Sequence, residues 1–177
     1  MEDLELRALT EKDEAAHAHF IEEMLNHDGR IVPSATEIKE TDGSFKNWLV
    51  RTESEAKGAA MEKGRVPAAV LFLFRKGESK ILAAVNVRYE LNDFLMQHGG
   101  NIGYGVAPSE RQKGYASKML AMALDFCRKL KLEKVLVTCD ADNIGSAKTI
   151  VKNGGILENE FVSERDGKLT QRYWIKL

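Results

Sequence analysis

The residues whose types and spacing are best suited to chemistry lie between Asn101 and Ala116, where a strand-like run leads into a loop that opens a helix. The loop contains Gly114 and a small residue two positions later, and both allow a close approach of the backbone to a ligand. The first N–H groups of a helix have no partner within the helix, and the helix dipole favours an anion there. This arrangement is a typical phosphate cradle. The sequence therefore predicts that the N–H groups between Glu110 and Ser117 converge on a diphosphate.

The local charge supports an anionic ligand. Residues 110–134 hold seven basic and three acidic groups, whereas the chain as a whole has a formal net charge of −1. The alternative interpretation is a simple turn followed by a solvated helix face. The spacing is neither GxGxxG nor GxxxxGK[ST], which argues against a dinucleotide fold and a nucleotide triphosphatase. The basic residues are Arg111, Lys113, Lys118, Arg128, Lys129, Lys131 and Lys134.

Composition excludes several other classes. With 177 residues, 44% apolar and 30% charged, we expect one globular domain over residues 1–177 rather than a disordered or disulfide-based chain. Nothing is long and apolar enough to span a membrane, and the N-terminus does not look like an export signal. Cys127 and Cys139 are therefore expected to be reduced thiols in a cytoplasmic protein. No metal site is expected, because His17 and His19 diverge on a helix, and no GxSxG nucleophile motif occurs.

Hydrophobic periodicity and turn residues place these motifs on a mixed α and β framework. The predicted order is two helices, three strands, a helix, a strand, a helix and two strands, with one helical turn over 90–100 before the third strand. The predicted helices are 11–26, 44–63, the run from Gly114 through Leu130, and 143–152, and the predicted strands are 66–74, 81–89, 101–106, 134–138, 156–163 and 168–176, the last two joined through Asp166-Gly167.

The string Arg111-Gln-Lys-Gly-Tyr-Ala116 resembles the Arg/Gln-x-x-Gly-x-Gly/Ala motif of the GNAT superfamily of N-acetyltransferases. The order and spacing of residues 66–177 also match that family, and the longer string from His98 to Ala116 is similar to a branch of predicted bacterial acetyltransferases. The resemblance implies one α+β domain with a mixed, mostly antiparallel sheet of six or seven strands. That sheet would be splayed at the cofactor site and flanked by helices on both faces.

The resemblance also implies how acetyl-CoA would bind as co-substrate. The main chain near Val106 would pair with the pantetheine arm and polarise the thioester carbonyl. Asn143 and Ser146 would contact the pantetheine or neighbouring phosphates. The backbone N–H groups that would bind the pyrophosphate are those of Arg111, Gln112, Lys113, Gly114, Tyr115 and Ala116.

The chain departs from the family at both catalytic roles. A general base is needed because a free amine is protonated at neutral pH, yet the strand before the motif has no carboxylate. The candidates are Glu90, then His98, both just before that strand. The family's usual acid, a tyrosine seven residues after Asn143, is replaced by Ile150. Either Tyr104 protonates the leaving thiolate or no acid is required, because a thiol pKa near ~8.5 already makes thiolate a fair leaving group.

Three functions remain open on these grounds. The leading interpretation is an N-acetyltransferase that moves an acetyl group directly from acetyl-CoA to an amine of a small molecule or peptide, in a ternary complex. The alternative is a non-catalytic acyl-CoA sensor or interaction module, which the missing carboxylate and Ile150 favour. An RNA-binding module is opposed by the absence of interleaved aromatic residues and by the acidic N-terminal helix. The resemblance also suggests a homodimer, but no interface is visible in the sequence.

Overall fold

The computed structural model describes residues 2–38, 43–59, 63–164 and 166–177. Within them, seven strands form two antiparallel sheets. One sheet has the order β1-β2-β3-β4 and the other the order β5-β7-β6, so β7 is central in the second sheet. The strands are β1 (Leu4–Arg7), β2 (Ala68–Arg75), β3 (Ile81–Arg88), β4 (Ile102–Val106), β5 (Lys134–Asp140), β6 (Ile156–Val162) and β7 (Leu169–Lys176).

Five α-helices cover the two faces of these sheets. α1 and α2 contribute Phe20, Met24 and Trp48 to a core against β2 and β3 on one face. α4 and α5 pack on the opposite face, where α4 buries the side chains spaced three or four apart that give it an apolar stripe. The helices are α1 (Glu14–Asp28), α2 (Phe45–Ala56), α3 (Asp93–His98), α4 (Tyr115–Lys129) and α5 (Ile144–Lys152).

The two sheets meet at one point, between the start of β4 and the middle of β5. The Asn101 N–H donates to the Leu136 carbonyl at 2.7 Å, and the Leu136 N–H donates to Asn101 Oδ1 at 2.8 Å. Gly100 has a φ of +62°, and a Cβ there would lie 2.4 Å from the Leu136 oxygen, so only glycine fits. Among the described residues no ladder joins β4 to β5, which leaves the far ends of the two strands splayed apart.

The predicted fold class is confirmed, with several differences in the elements. β1 was missed, and it pairs with Phe72–Arg75 at the edge of the first sheet. The first helix extends two residues further than predicted, to Asp28, and a 3₁₀ turn over Ser34–Thr36 interrupts the predicted loop. The second helix ends at Ala56 rather than 63, and residues 39–42 and 60–62 of the predicted segments lie outside the described residues. β6 and β7 form the predicted hairpin, but Val162 pairs with Leu169, so the connection is longer than two residues.

Candidate active site

The main chain of β4 offers unpaired polar groups along its open edge. The Ala107 N–H donates to the Leu82 carbonyl at 2.9 Å, and the Arg88 N–H donates to the Asn101 carbonyl at 2.7 Å. Because hydrogen-bonded pairs alternate along an antiparallel ladder, Gly103 and Gly105 bond to β3, whereas Tyr104 and Val106 direct their N–H and C=O groups away from it. This edge borders the gap between β4 and β5, which no ladder joins in the described part of the chain.

A second set of unpaired N–H groups lies directly beyond β4. Gln112 and Gly114 adopt the left-handed conformation, with φ of 61° and 84°, and they turn the loop into α4. The first intrahelical bond is the Lys118 N–H to the Gly114 carbonyl. In the described part of the chain, the N–H groups of residues 112–117 have no hydrogen-bond acceptor. No atom lies within 4 Å of a Cβ built on Gly114, so the space beside the loop is open. The group is a ready anion cradle.

The basic side chains beside the cradle are largely engaged within the chain. Lys113 Nζ lies 2.9 Å from a Glu110 oxygen, and Lys80 Nζ lies 2.5 Å from the other. Glu110 is only 4% exposed, and hydrogen bonds from these lysines lower its pKa. Lys118 Nζ is 3.3 Å from Glu2. The sequence argument from the basic surplus therefore overstated the side chains, and the backbone N–H groups carry the anion-binding potential.

Arg111 has a structural role that its sequence position did not predict. Its guanidinium donates to both carboxylate oxygens of Asp28 at the end of α1, and its Nε donates to the Val106 carbonyl at 3.2 Å. The Arg111 hydrogen bonds lower the pKa of Asp28 to about 2. The Arg111 N–H is also paired, with the Pro108 carbonyl at 3.3 Å. Arg111 therefore fixes the end of β4 to α1, while the free N–H groups begin at Gln112.

Tyr104 projects from β4 towards α5, across the gap between the sheets. Its hydroxyl lies 2.8 Å from Ser146 Oγ, and burial raises the pKa of Tyr104 to about 12. Asn143 caps α5, with its Oδ1 accepting from the Ser146 N–H at 3.1 Å. Ile150 is fully buried in the core beneath. Tyr104 is thus the residue of β4 that brings a hydroxyl into the gap between the sheets, where Ser146 holds it.

The two candidate bases lie in different surroundings. Glu90 is exposed just after β3 and forms no hydrogen bond or ion pair with a described residue. His98 is partly buried at the end of α3, with its ring 5.3 Å from the ring of Phe94 and 5.7 Å from that of Phe161. The ring of Phe94 in turn lines a cleft on the α1–α2 face of the first sheet. Neither candidate base lines this cleft itself, but His98 packs against one residue of its wall, Phe94.

That cleft has a volume of about 470 Å³ and opens between α2, α3 and the sheet. It reaches the face of β4 opposite to Tyr104, because Arg88 in the cleft lies 3.9 Å from a Cβ built on Gly103. The cleft and the cradle thus flank one strand from two sides. It is lined by Ser34, Ala35, Glu37, Arg51, Glu55, Gly64, Arg65, Val66, Ala68, Asn86, Arg88, Phe94 and Leu95.

The splayed strand, the open edge of β4 and the cradle are features that the resemblance implies, and comparison with known proteins identifies the family. The family described as "Acetyltransferase (GNAT) domain" matches residues 3–156. The chain therefore belongs to the GNAT acetyltransferase family. No curated protein sequence matches it significantly.

Solved structures with the same fold include three with informative names. RimJ of Mycobacterium smegmatis, in complex with CoA-disulfide, has a TM-score of 0.70 at 19% identity, over 98% of this chain and 81% of that one. The yncA protein of Salmonella typhimurium, with its cofactor acetyl-CoA, has a TM-score of 0.64 at 15% identity, over 98% and 94%. A chimera of spermidine N-acetyltransferase SpeG from Vibrio cholerae and hSSAT has a TM-score of 0.64 at 17% identity, over 98% and 95%. At such identities the likeness shows the fold alone.

The described residues include neither a membrane-spanning helix nor a cluster of metal-binding side chains. No helix within the described ranges is long and apolar enough to cross a bilayer. Among those same residues, no group of three or more His, Cys, Asp or Glu side chains is placed to hold a metal ion. His17 is instead a buried core residue, whose Nε2 lies 2.8 Å from the Thr36 carbonyl oxygen.

Proposed function

We propose that this protein is an acetyl-CoA-dependent N-acetyltransferase that acts on an amine of a small molecule or peptide. The observation that carries this proposal is the set of free N–H groups over residues 112–117, which follow the unpaired edge of β4 directly. Both features fit acetyl-CoA, since a diphosphate needs N–H donors and a pantetheine arm has amides that can pair with a strand edge. We further propose that the family domain runs to the C-terminus, because the central strand β7 lies beyond residue 156.

The residues proposed to hold acetyl-CoA divide between the two ends of the cofactor. The backbone of residues 112–117, with Gln112, Lys113, Gly114, Tyr115 and Ala116 at its centre, would bind the pyrophosphate, and Arg111 would hold the loop in place. The main chain near Val106 would pair with the pantetheine arm. The Val106 carbonyl already accepts from Arg111 Nε, so the Val106 N–H is the proposed donor to the thioester oxygen. Such a fixed donor stabilises the charge that develops on that oxygen in the transition state.

The thioester supplies an acetyl group that is activated towards amines. For the base we propose His98 rather than Glu90, acting directly or through water, because the His98 ring packs against Phe94, which lines the cleft. His98 accepts the proton that the amine loses as its nitrogen bonds to the acetyl carbon. The carbon–sulfur bond breaks with its electron pair on sulfur, and Tyr104 donates the proton that makes the free thiol. His98 then releases its proton to solvent and Tyr104 takes one up, so both side chains return to their starting forms and the products are an amide and the CoA thiol.

The test is acetyl-CoA binding by calorimetry, followed by release of free thiol with a panel of amines. Binding with thiol release that depends on the amine supports the proposal, and the His98→Gln variant should then lose turnover while Glu90→Gln keeps it. Binding without turnover on any amine would favour the acyl-CoA sensor instead. Absence of acetyl-CoA binding in the folded protein would contradict both functions.

A further inference from the structure

The cleft on the α1–α2 face contains a half-buried cation, Arg88. Arg88 ends β3, and its Nη1 donates to the Gly99 and Gly100 carbonyls at 3.2 and 3.0 Å. It forms no ion pair with any residue that the structure describes, and burial lowers its pKa. Those two bonds use one nitrogen of a guanidinium that has five N–H donors. A buried charge left without an opposite charge is costly, so an anion entering the cleft would find a favourable partner.

A second polar group in the same cleft also lacks a partner. Asn86 lies two residues before Arg88 on the same face of β3 and is 6% exposed. Its Oδ1 is buried and has no hydrogen-bond partner among the described residues. Buried side-chain oxygens are nearly always satisfied, and an orphan in a cavity wall indicates a ligand that donates to it. Asn86 lines the cleft and is opposite Gly103 of β4, so its side chain lies beside the strand on which the chemistry is proposed to occur.

The remaining charges of the cleft favour an anion over a second cation. Three arginines and two glutamates line it. One glutamate, Glu55, is already shared, with an oxygen 3.2 Å from Arg65 Nη1 and 4.0 Å from Arg51 Nε. The lining thus has one more positive than negative side chain, and a ligand with two ammonium groups would add to that surplus. The charged side chains of the cleft are Arg51, Arg65, Arg88, Glu37 and Glu55.

We propose that the acceptor is an amine that also carries a carboxylate, with Arg88 binding the carboxylate and Asn86 Oδ1 accepting a hydrogen bond from an N–H of the acceptor. The planar guanidinium suits a carboxylate because two parallel N–H donors match its two oxygens. This inference rests on the proposed acetyltransferase function and names the substrate class for it. The amine would lie between the two residues and the Gly103 face of β4.

The test compares three series of amines matched in chain length: ω-amino carboxylates, the alkylamines without the carboxylate, and the diamines with a second ammonium in its place. Thiol release is measured for each with acetyl-CoA. We expect kcat/KM to be at least about tenfold higher for the carboxylates, because hydrogen bonds to charged groups are the stronger ones. Equal or better turnover of the alkylamines or the diamines would overturn the inference while leaving the proposed function intact. No thiol release with any amine would count against the function itself.

Variants of Arg88 test its proposed role in carboxylate binding independently of the comparison among amines. Arg88→Gln should raise KM for the carboxylates about tenfold or more and leave KM for alkylamines unchanged, and Arg88→Lys should fall between Arg88→Gln and the wild type. Arg128→Gln is the control, since this exposed arginine pairs with Asp125 on α4, away from the cleft. A purely structural role for Arg88, in which it only holds the Gly99 and Gly100 carbonyls, predicts an equal loss for both classes of amine, and that result would overturn the inference. The substrate comparison decides the matter if Arg88→Gln does not fold.

Discussion

At the scale of single residues, the distinctive feature is that the tyrosine proposed as general acid lies on a strand, as Tyr104 of β4, and not on helix α5. The position on α5 where the resemblance implies an acid holds Ile150, which is fully buried in the core. Tyr104 reaches the same helix from β4 and is held at 2.8 Å from Ser146 Oγ. Its pKa of about 12 keeps the hydroxyl protonated at neutral pH. A phenol that stays protonated remains a hydrogen-bond donor, and the proposed acetyl transfer gives it the departing thiolate as an acceptor.

Tyr104→Phe should therefore lower kcat about 100-fold, the usual scale of a general acid, while leaving the affinity for acetyl-CoA near that of the wild type. Tyr173→Phe is the matched control, because Tyr173 is a buried tyrosine whose hydroxyl bonds to Gln171 at 2.7 Å, on the second sheet. Because burial raises the pKa of Tyr104 to about 12, the hydroxyl stays protonated as pH rises from 7 to 10. The wild-type kcat should show no descending limb in that range. A limb that Tyr104→Phe abolishes would contradict the assigned pKa.

At the scale of elements, β4 is central to the candidate site because its two faces and its edge each border a different part of it. The edge presents main-chain groups to the gap between the sheets, Tyr104 occupies one face, and the glycines occupy the other. A Cβ on Gly105 would lie 2.2 Å from the Val32 carbonyl oxygen, whereas a Cβ on Gly103 meets no atom nearer than 3.9 Å. The chain after α1 thus packs directly on the backbone of β4, and only one of the two glycines is required by that contact.

Gly105→Ala should lower the free energy of unfolding by about 2 kcal/mol or more, because the added methyl must displace backbone rather than a flexible side chain. Gly103→Ala should be neutral or stabilising by up to about 0.5–1 kcal/mol, since alanine suffers less entropy loss than glycine in a strand. Urea unfolding of the two variants gives both values. Equal destabilisation by the two substitutions would show that the α1 loop does not rest on Gly105.

Anion binding by the cradle at the start of α4 can be tested at Gly114 without changing the rest of the fold. Asn and Asp tolerate the left-handed conformation that Gly114 adopts, and they have similar shapes. With no atom within 4 Å of the new Cβ, neither side chain should crowd the protein itself. Gly114→Asp should weaken acetyl-CoA binding about tenfold or more through charge repulsion, and Gly114→Asn should weaken it less. Calorimetry measures both, and equal affinities of the two variants would remove the diphosphate from the cradle.

At the scale of the whole molecule, local signals predicted what is local. Turn residues, helix caps and alternating apolar runs located β2, β3 and β5, and also the helices α4 and α5. β1 was missed because four residues at the edge of a sheet become a strand only by pairing with Phe72–Arg75, far along the chain. The same holds for the site. The cradle follows from a contiguous motif, whereas the Arg111–Asp28 pair and the cleft beside Arg88 need residues that only the fold brings together.

The whole arrangement also decides how the acetyl group travels. The cleft borders the Gly103 face of β4 and the cradle follows the end of that strand, so the proposed sites for the acceptor and for acetyl-CoA are distinct. Cys127 and Cys139 are buried, and burial raises the pKa of each thiol to about 11. At pH 7 each is then thiolate in only about one molecule in ten thousand, too little to carry an acetyl group. We therefore expect intersecting initial-rate lines when both substrates are varied, and Cys139→Ser should retain activity. Parallel lines, or an acetylated protein detected by mass spectrometry before any amine is added, would contradict direct transfer in a ternary complex.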